Sequence, residues 1–144
     1  RFMVTDRRMN AGLFCDFLDR LMYGEEGKVL LVVDGHPSHK AKKVQKHLEK
    51  YEGRLKLYLL PGYSPELNPD ELVWNWVKNH KIGKDNQIAD KASLIQTARS
   101  ALSSLQKLPE TIRGFFNHPD LAYIKGKDFV HFLVSRQDKE LARR

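Results

Sequence analysis

The sequence predicts an α/β fold, and three observations carry that expectation. Val29-Leu30-Leu31-Val32-Val33 is an uninterrupted apolar run ending at Asp34, the pattern of a strand buried in a parallel sheet. Leu55, Leu57 and Leu59 alternate with Lys56 and Tyr58, which marks a second strand over 54–60. Segments with apolar residues at helical spacing follow each of them. Strand–helix–strand–helix order between residues 28 and 80 implies parallel strands joined by right-handed crossovers.

Taken in chain order, residues 2–5 form a short apolar strand candidate. Asn10 stands where a helix N-cap belongs, ahead of Phe14, Phe17, Leu18 and Leu21, and Gly24 supplies the stop. After the strand at 28–34, Ser38 is the expected cap of a helix running to about Tyr51. The inner face of that helix is Ala41, Val44, Leu48 and Tyr51, and Lys40, Lys43, His47 and Lys50 form a basic stripe. Gly53 ends it. Beyond the strand at 54–60 lies a proline-punctuated loop, Pro61-Gly62-Tyr63-Ser64-Pro65. A helix is predicted from Asn68, with Val73, Trp74 and Val77 on its apolar side. Trp74 and Trp76 are two apart and cannot share a face, so one is expected in the core and the other outside. A polar stretch from Lys78 to Ala89 precedes two more helices. The first carries Leu94, Ala98, Leu102 and Leu105; the second opens at Pro109, buries Ile112, Phe115 and Phe116, and stops before Pro119. Residues 129–134 are apolar enough to pack, and 135–144 read as a charged tail. No internal repeat or low-complexity segment is present.

A length of 144 residues fits one domain of ordinary size. The 41% hydrophobic fraction suffices for a core. With 25 Lys and Arg against 18 Asp and Glu, the net charge is +7, and the partner is expected to be a polyanion, nucleic acid ahead of a membrane surface. The longest apolar run falls far short of the ~20 residues a membrane helix needs. Cys15 is the single cysteine, which excludes an internal disulfide and any multi-cysteine metal site. No secretory signal opens the sequence. A reducing, cytoplasmic compartment is the expectation.

Two carboxylates stand out. Asp34 ends a buried strand at the carboxyl edge, where open α/β sheets place ligands. Glu71 lies in the first turn of the helix after the next strand, and parallel neighbours bring both to one edge. Such a pair suits Mg2+ or Mn2+, which take oxygen ligands. Simpler roles stand beside these. Asp34 also fits a turn residue, and Asn68, Pro69 and Glu71 fit a capping box; capping and metal binding are compatible. His36 and His39 lack a third close ligand for zinc, and His39 is read as a support for the active edge or a phosphate contact. Gly24-Glu25-Glu26-Gly27-Lys28 precedes its strand and lacks the spacing of a phosphate loop.

From Asn10 to Tyr123 the chain resembles the C-terminal part of the DDE-type catalytic domain of mariner-like bacterial insertion-sequence transposases. The resemblance rests on Met9-Asn10-Ala11 with Phe14, Phe17 and Leu18; on Val32-Val33-Asp34-Gly35-His36 with His39-Lys40-Ala41; and on Trp74 with Lys78. Its most specific part is Leu60-Pro61-Gly62-Tyr63-Ser64-Pro65-Glu66-Leu67-Asn68-Pro69-Asp70-Glu71. Gly62 stands where the family commonly has a second proline.

The resemblance implies a ribonuclease-H-like fold and a triad of acids holding two Mg2+ or Mn2+ ions, with Asp34 matching the second acid and Glu71 the third. Asp6 is too close to Asp34 to be the first. The expectation is therefore a partial catalytic domain over 1–124, truncated on the N-terminal side of its sheet, with an extension over 125–144. Its implied work is DNA cleavage and strand transfer in transposition, acting on transposon ends and target DNA in the bacterial nucleoid. Little activity is expected from the chain alone. DNA contacts are expected from His39, Lys40, Lys43, Lys50 and Arg54. An unpaired edge at 28–33 suggests a homo-oligomer. Two competing readings are a non-catalytic DNA-binding or assembly module derived from a transposase, and an unrelated α/β metal-dependent nuclease or phosphatase.

Overall fold

A computed structural model describes residues 1–62, 64–80 and 88–124. The described residues fall into two compact units, one containing Arg7–Ser64 and the other containing Arg1–Asp6 and the described part of Pro65–Lys127.

In the first unit, α1 (Ala11–Met22) starts where Asn10 accepts the Leu13 N–H at 3.0 Å, as an N-cap should. It buries Leu13, Phe14, Cys15, Phe17, Leu18, Leu21 and Met22. The chain leaves α1 through a tight turn: Glu25 N–H donates to Met22 O at 3.0 Å, with Gly24 at φ +67°. That φ is why glycine stands there. β1 (Val29–Val33) and β2 (Leu55–Leu59) pair in parallel, with Val29 opposite Leu55 and Val33 opposite Leu59. The ladder continues one step, Leu60 N–H donating to Val33 O at 2.7 Å. Both strands fall where the apolar patterns place them, and the mixed helix and strand content with its small parallel sheet is α/β. Val29, Leu31 and Val33 are at most 1% exposed. Leu30 and Val32 on the opposite face are half-buried.

Between the strands the chain departs from expectation. The single helix foreseen from Ser38 to Tyr51 is two pieces, a 3₁₀ turn over Pro37–Lys40 and α2 (Lys42–Glu49) with Ala41 at its N-cap position. Ser38 does not cap α2, because its N–H and hydroxyl are both taken by the His36 ring. Val44 and Tyr51 are buried as foreseen, and Ala41 and Leu48 are half-buried. α1 packs against both α2 and the 3₁₀ turn. Glu52 and Gly53 follow with φ of 51° and 77°, a mirror-image turn closed by Arg54 N–H to Tyr51 O at 2.8 Å.

The second unit contains α3 (Asp70–His80), α4 (Lys91–Leu105) and α5 (Pro109–Phe115). Asn68 Oδ1 accepts the Asp70 N–H at 3.0 Å ahead of α3. Asp90 and Ser93 form a reciprocal capping box on α4. Val77, Ala98, Ala101, Leu105 and Leu121 are its buried apolar residues among those described. Three expectations shift here. Trp74 and Trp76 are both half-buried, with Trp76 stacked on His80 at 4.6 Å between ring centroids. Ile112, Phe115 and Phe116 are half-buried rather than enclosed, since a seven-residue helix covers little of its own apolar side. Residues 2–5 are not a strand. Side chains of α4 reach this segment and its neighbour instead: Arg99 donates to Val4 O at 3.1 Å, and Lys91 to Asp6 O at 3.0 Å. The foreseen extension at 125–144 lies outside the described residues.

Candidate active site

Asp34 sits one residue past the carboxyl end of β1, where the last ladder bonds release the backbone. Its side chain is 39% exposed and that of His39 is 0% exposed. His36 N–H donates to Asp34 Oδ1 at 3.0 Å. His39 Nδ1 lies 3.0 Å from the same Oδ1 and 3.1 Å from the Asp34 carbonyl oxygen. Both oxygens can only accept, so Nδ1 of His39 carries the proton. Partial burial alone would raise the Asp34 carboxyl. The His39 hydrogen bond, then the His36 N–H and the charges of both rings, outweigh it and hold the group below the usual carboxylate range.

A second layer holds the first. His36 Nδ1 accepts the Ser38 N–H at 3.2 Å and lies 2.5 Å from Ser38 Oγ, so the hydroxyl donates to it and the ring proton belongs on Nε2. Burial, with the neighbouring His39, lowers the His36 pKa. Phe14 from α1 lies against His39 with ring centroids 4.3 Å apart. His39 was foreseen as a DNA contact; its enclosed ring removes it from any surface a phosphate can reach. Lys40 is exposed, and its Nζ lies 3.6 Å from where a Cβ on Gly35 would stand. That places a cation beside the strand end that carries Asp34.

The remaining residues of the foreseen site are dispersed. Lys43 is exposed, with Nζ 3.4 Å from the Cβ position of Gly12 in the first turn of α1. Lys50 is tied to Asp19, which also accepts from Tyr51 Oη and, at 2.8 Å, from His47 Nε2. Partial desolvation would raise the Asp19 carboxyl, but Lys50, Tyr51 and His47 together draw it down to about 2. The Lys50 charge is thus paired with Asp19 at the surface. Arg54 donates to Glu25 O at 2.9 Å; a carbonyl acceptor leaves its charge in place. Glu71 is half-buried in the first turn of α3, in the second unit.

The fit to a divalent cation follows from donor chemistry. Asp34 and Glu71 offer hard oxygen atoms, and Mg2+ is commonly held by one or two carboxylates with water and substrate phosphates completing its shell. No group of three or more His, Cys, Asp or Glu able to hold a metal occurs among the described residues. The sequence did not single out the support given by His36 and Ser38, or Asp19 as an anchor. The signal for the first was the clustering of His36, Ser38 and His39 within five residues of Asp34.

A carboxylate at the end of a parallel strand, held by the buried His39 ring and the His36 N–H beside an exposed lysine, is what this α/β unit presents at its sheet edge. The family whose profile matches is described as DDE superfamily endonuclease, over residues 1–95. That match spans about two-thirds of the chain, and the chain belongs to this family. Comparison with curated proteins and with solved structures gives no match. Among the described residues no helix is long and apolar enough to cross a membrane.

Proposed function

We propose that the chain is part of a transposase catalytic domain of the mariner-like insertion-sequence type, with a ribonuclease-H-like fold and DNA as its substrate. Family membership supports a transposase-type nuclease. The observation that carries the residue assignment is the braced, ionised Asp34 at the end of β1. Asp34 and Glu71 are the proposed ligands of a divalent cation, Mg2+ or Mn2+. Asp34 and Glu71 would hold the cation, which would supply Lewis-acid stabilisation of the charge that develops in phosphodiester displacement. Lys40, Lys43 and Arg54 are the proposed phosphate contacts, and they act on the backbone without reading sequence. Residues 1–124 constitute the proposed catalytic portion, with 125–144 as an extension, and the working form is a homo-oligomer on transposon ends and target.

Little or no cleavage is expected from these 144 residues alone, because two carboxylates leave a second ion short of protein ligands. Nicking of supercoiled plasmid with Mg2+ or Mn2+ tests this. Whatever metal-dependent nicking occurs should vanish in Asp34→Ala and in Glu71→Gln. Robust cleavage that survives both substitutions removes the assignment.

A second reading, a non-catalytic DNA-binding or assembly module, needs only the net charge of +7 and no metal site. It gains if DNA binding is unaffected by Mg2+ and by both substitutions while no nicking is seen at any protein concentration.

A further inference from the structure

Among the described residues of the first unit, His39 is the one titratable side chain with no exposed surface. Its position is expensive for a merely packed residue. A polar ring enclosed beside Phe14 needs a hydrogen-bond partner, and it finds that partner in both the carboxylate and the carbonyl of Asp34. The two donors to the carboxylate, His39 Nδ1 and His36 N–H, both fall on Oδ1 at 3.0 Å. Two donors on one oxygen fix the side-chain torsion that an aspartate otherwise samples freely. Neither donor engages the other oxygen, and the side chain as a whole is 39% exposed. The donors are themselves held. Phe14 supports one face of His39, and Ser38 closes the loop through the His36 ring.

We propose that His39 is a positioning residue for metal binding: its buried Nδ1–H locks Asp34 through Oδ1 so that Oδ2 is presented, already oriented, to a divalent cation. The inference rests on the assignment of Asp34 as a metal ligand and adds the group that aims it. Groups that orient a ligand from behind are worth about 10–100-fold in metal affinity, because the free site no longer spends part of its binding energy on ordering the ligand. The geometry makes a specific demand on the donor. An asparagine at 39 places its amide nitrogen where Nδ1 stands, whereas a glutamine places it near the position of Nε2.

The test is Mn2+ binding to the full chain at fixed pH, followed by loss of the free-ion electron paramagnetic resonance signal. His39→Asn, His39→Gln, His39→Leu and Asp34→Asn are compared, with the metal-free thermal midpoint of each recorded. His39→Asn should hold Mn2+ within about threefold of the parent, and His39→Gln and His39→Leu should be weaker by about tenfold or more. Asp34→Asn should be weaker still. If His39→Leu does not fold, the Asn and Gln pair decides alone, since both are polar and similar in bulk. Equal affinities in His39→Asn and His39→Gln at matched thermal midpoints overturn the positioning role. If His39→Gln binds like the parent while Asp34→Asn loses the metal, Asp34 stands as a ligand and the role of His39 falls. If Asp34→Asn binds like the parent, the ligand assignment itself fails and the inference goes with it.

Discussion

Replacing Asp19 with asparagine isolates the charge that ties α1 to α2. Asp19 accepts from Lys50, Tyr51 and His47, and its carboxyl is drawn down to about 2 from an ordinary value of 3.8. A depressed carboxyl pKa contributes stability that is fully present above the unfolded value and lost as pH falls through the folded one. A shift of about 1.8 units corresponds to about 2.4 kcal/mol at most. Asp19 is 46% exposed, so solvent screening reduces this to about 1 kcal/mol. The linkage relation leaves roughly half of that at pH 3 and almost none near pH 1. Urea unfolding of the parent and Asp19→Asn, followed by far-ultraviolet circular dichroism, should give a difference of about 1 kcal/mol at pH 7. The difference should narrow at pH 3 and shrink in high salt. A difference that is unchanged from pH 7 to pH 3 would refute the linkage reasoning. No difference at pH 7 would show that the three contacts contribute nothing net.

Three further outcomes follow from burial and charge. Replacing Lys40 and Lys43 with glutamine should flatten the slope of log affinity against log salt for duplex DNA by about 1.8, at about 0.9 per phosphate contact. Lys50→Gln should leave it nearly unchanged, and an equal effect from Lys50 would contradict its pairing with Asp19. Leu31→Ala, at a fully buried position in β1, should cost about 2–5 kcal/mol in urea unfolding, and a cost below about 1 kcal/mol would mean that this face of β1 is not core. Cys15 is buried, and burial pushes its thiol up despite nearby Lys43, so a disulfide reagent at pH 8 should modify it far more slowly in the native chain than in urea; equal rates would contradict its enclosure.

The strands were legible because their signals are local. A five-residue apolar run and an alternating leucine pattern each specify a strand without reference to the rest of the chain. Asn10 and Gly24 were legible for the same reason, since caps and tight turns draw on a few adjacent residues. Residues 2–5 were misread because a short apolar segment carries no information about its backbone partners, which here include the side chain of Arg99, 95 positions from Val4. The helix foreseen from Ser38 failed through side-chain chemistry: the His36 ring competes for the groups Ser38 would use as a cap. At the candidate site, Asp34 and Lys40 could be placed by sequence position alone. The burial of His39 depends on Phe14 from another element, and the neutralisation of Lys50 depends on Asp19, 31 positions away. Long-range packing of this kind leaves no periodic trace.

Metal-directed backbone cleavage tests most directly the proposal that Asp34 and Glu71 are cation ligands. Substituting Fe2+ in the full chain and adding ascorbate and peroxide generates hydroxyl radicals at the metal, which cut the backbone within a few residues of it. Two clusters of cuts are expected, one flanking Asp34 and one flanking Glu71, both suppressed by excess Mg2+ and both lost in Asp34→Asn. Cuts at only one of the two segments, or cuts that persist in Asp34→Asn, would contradict the proposal.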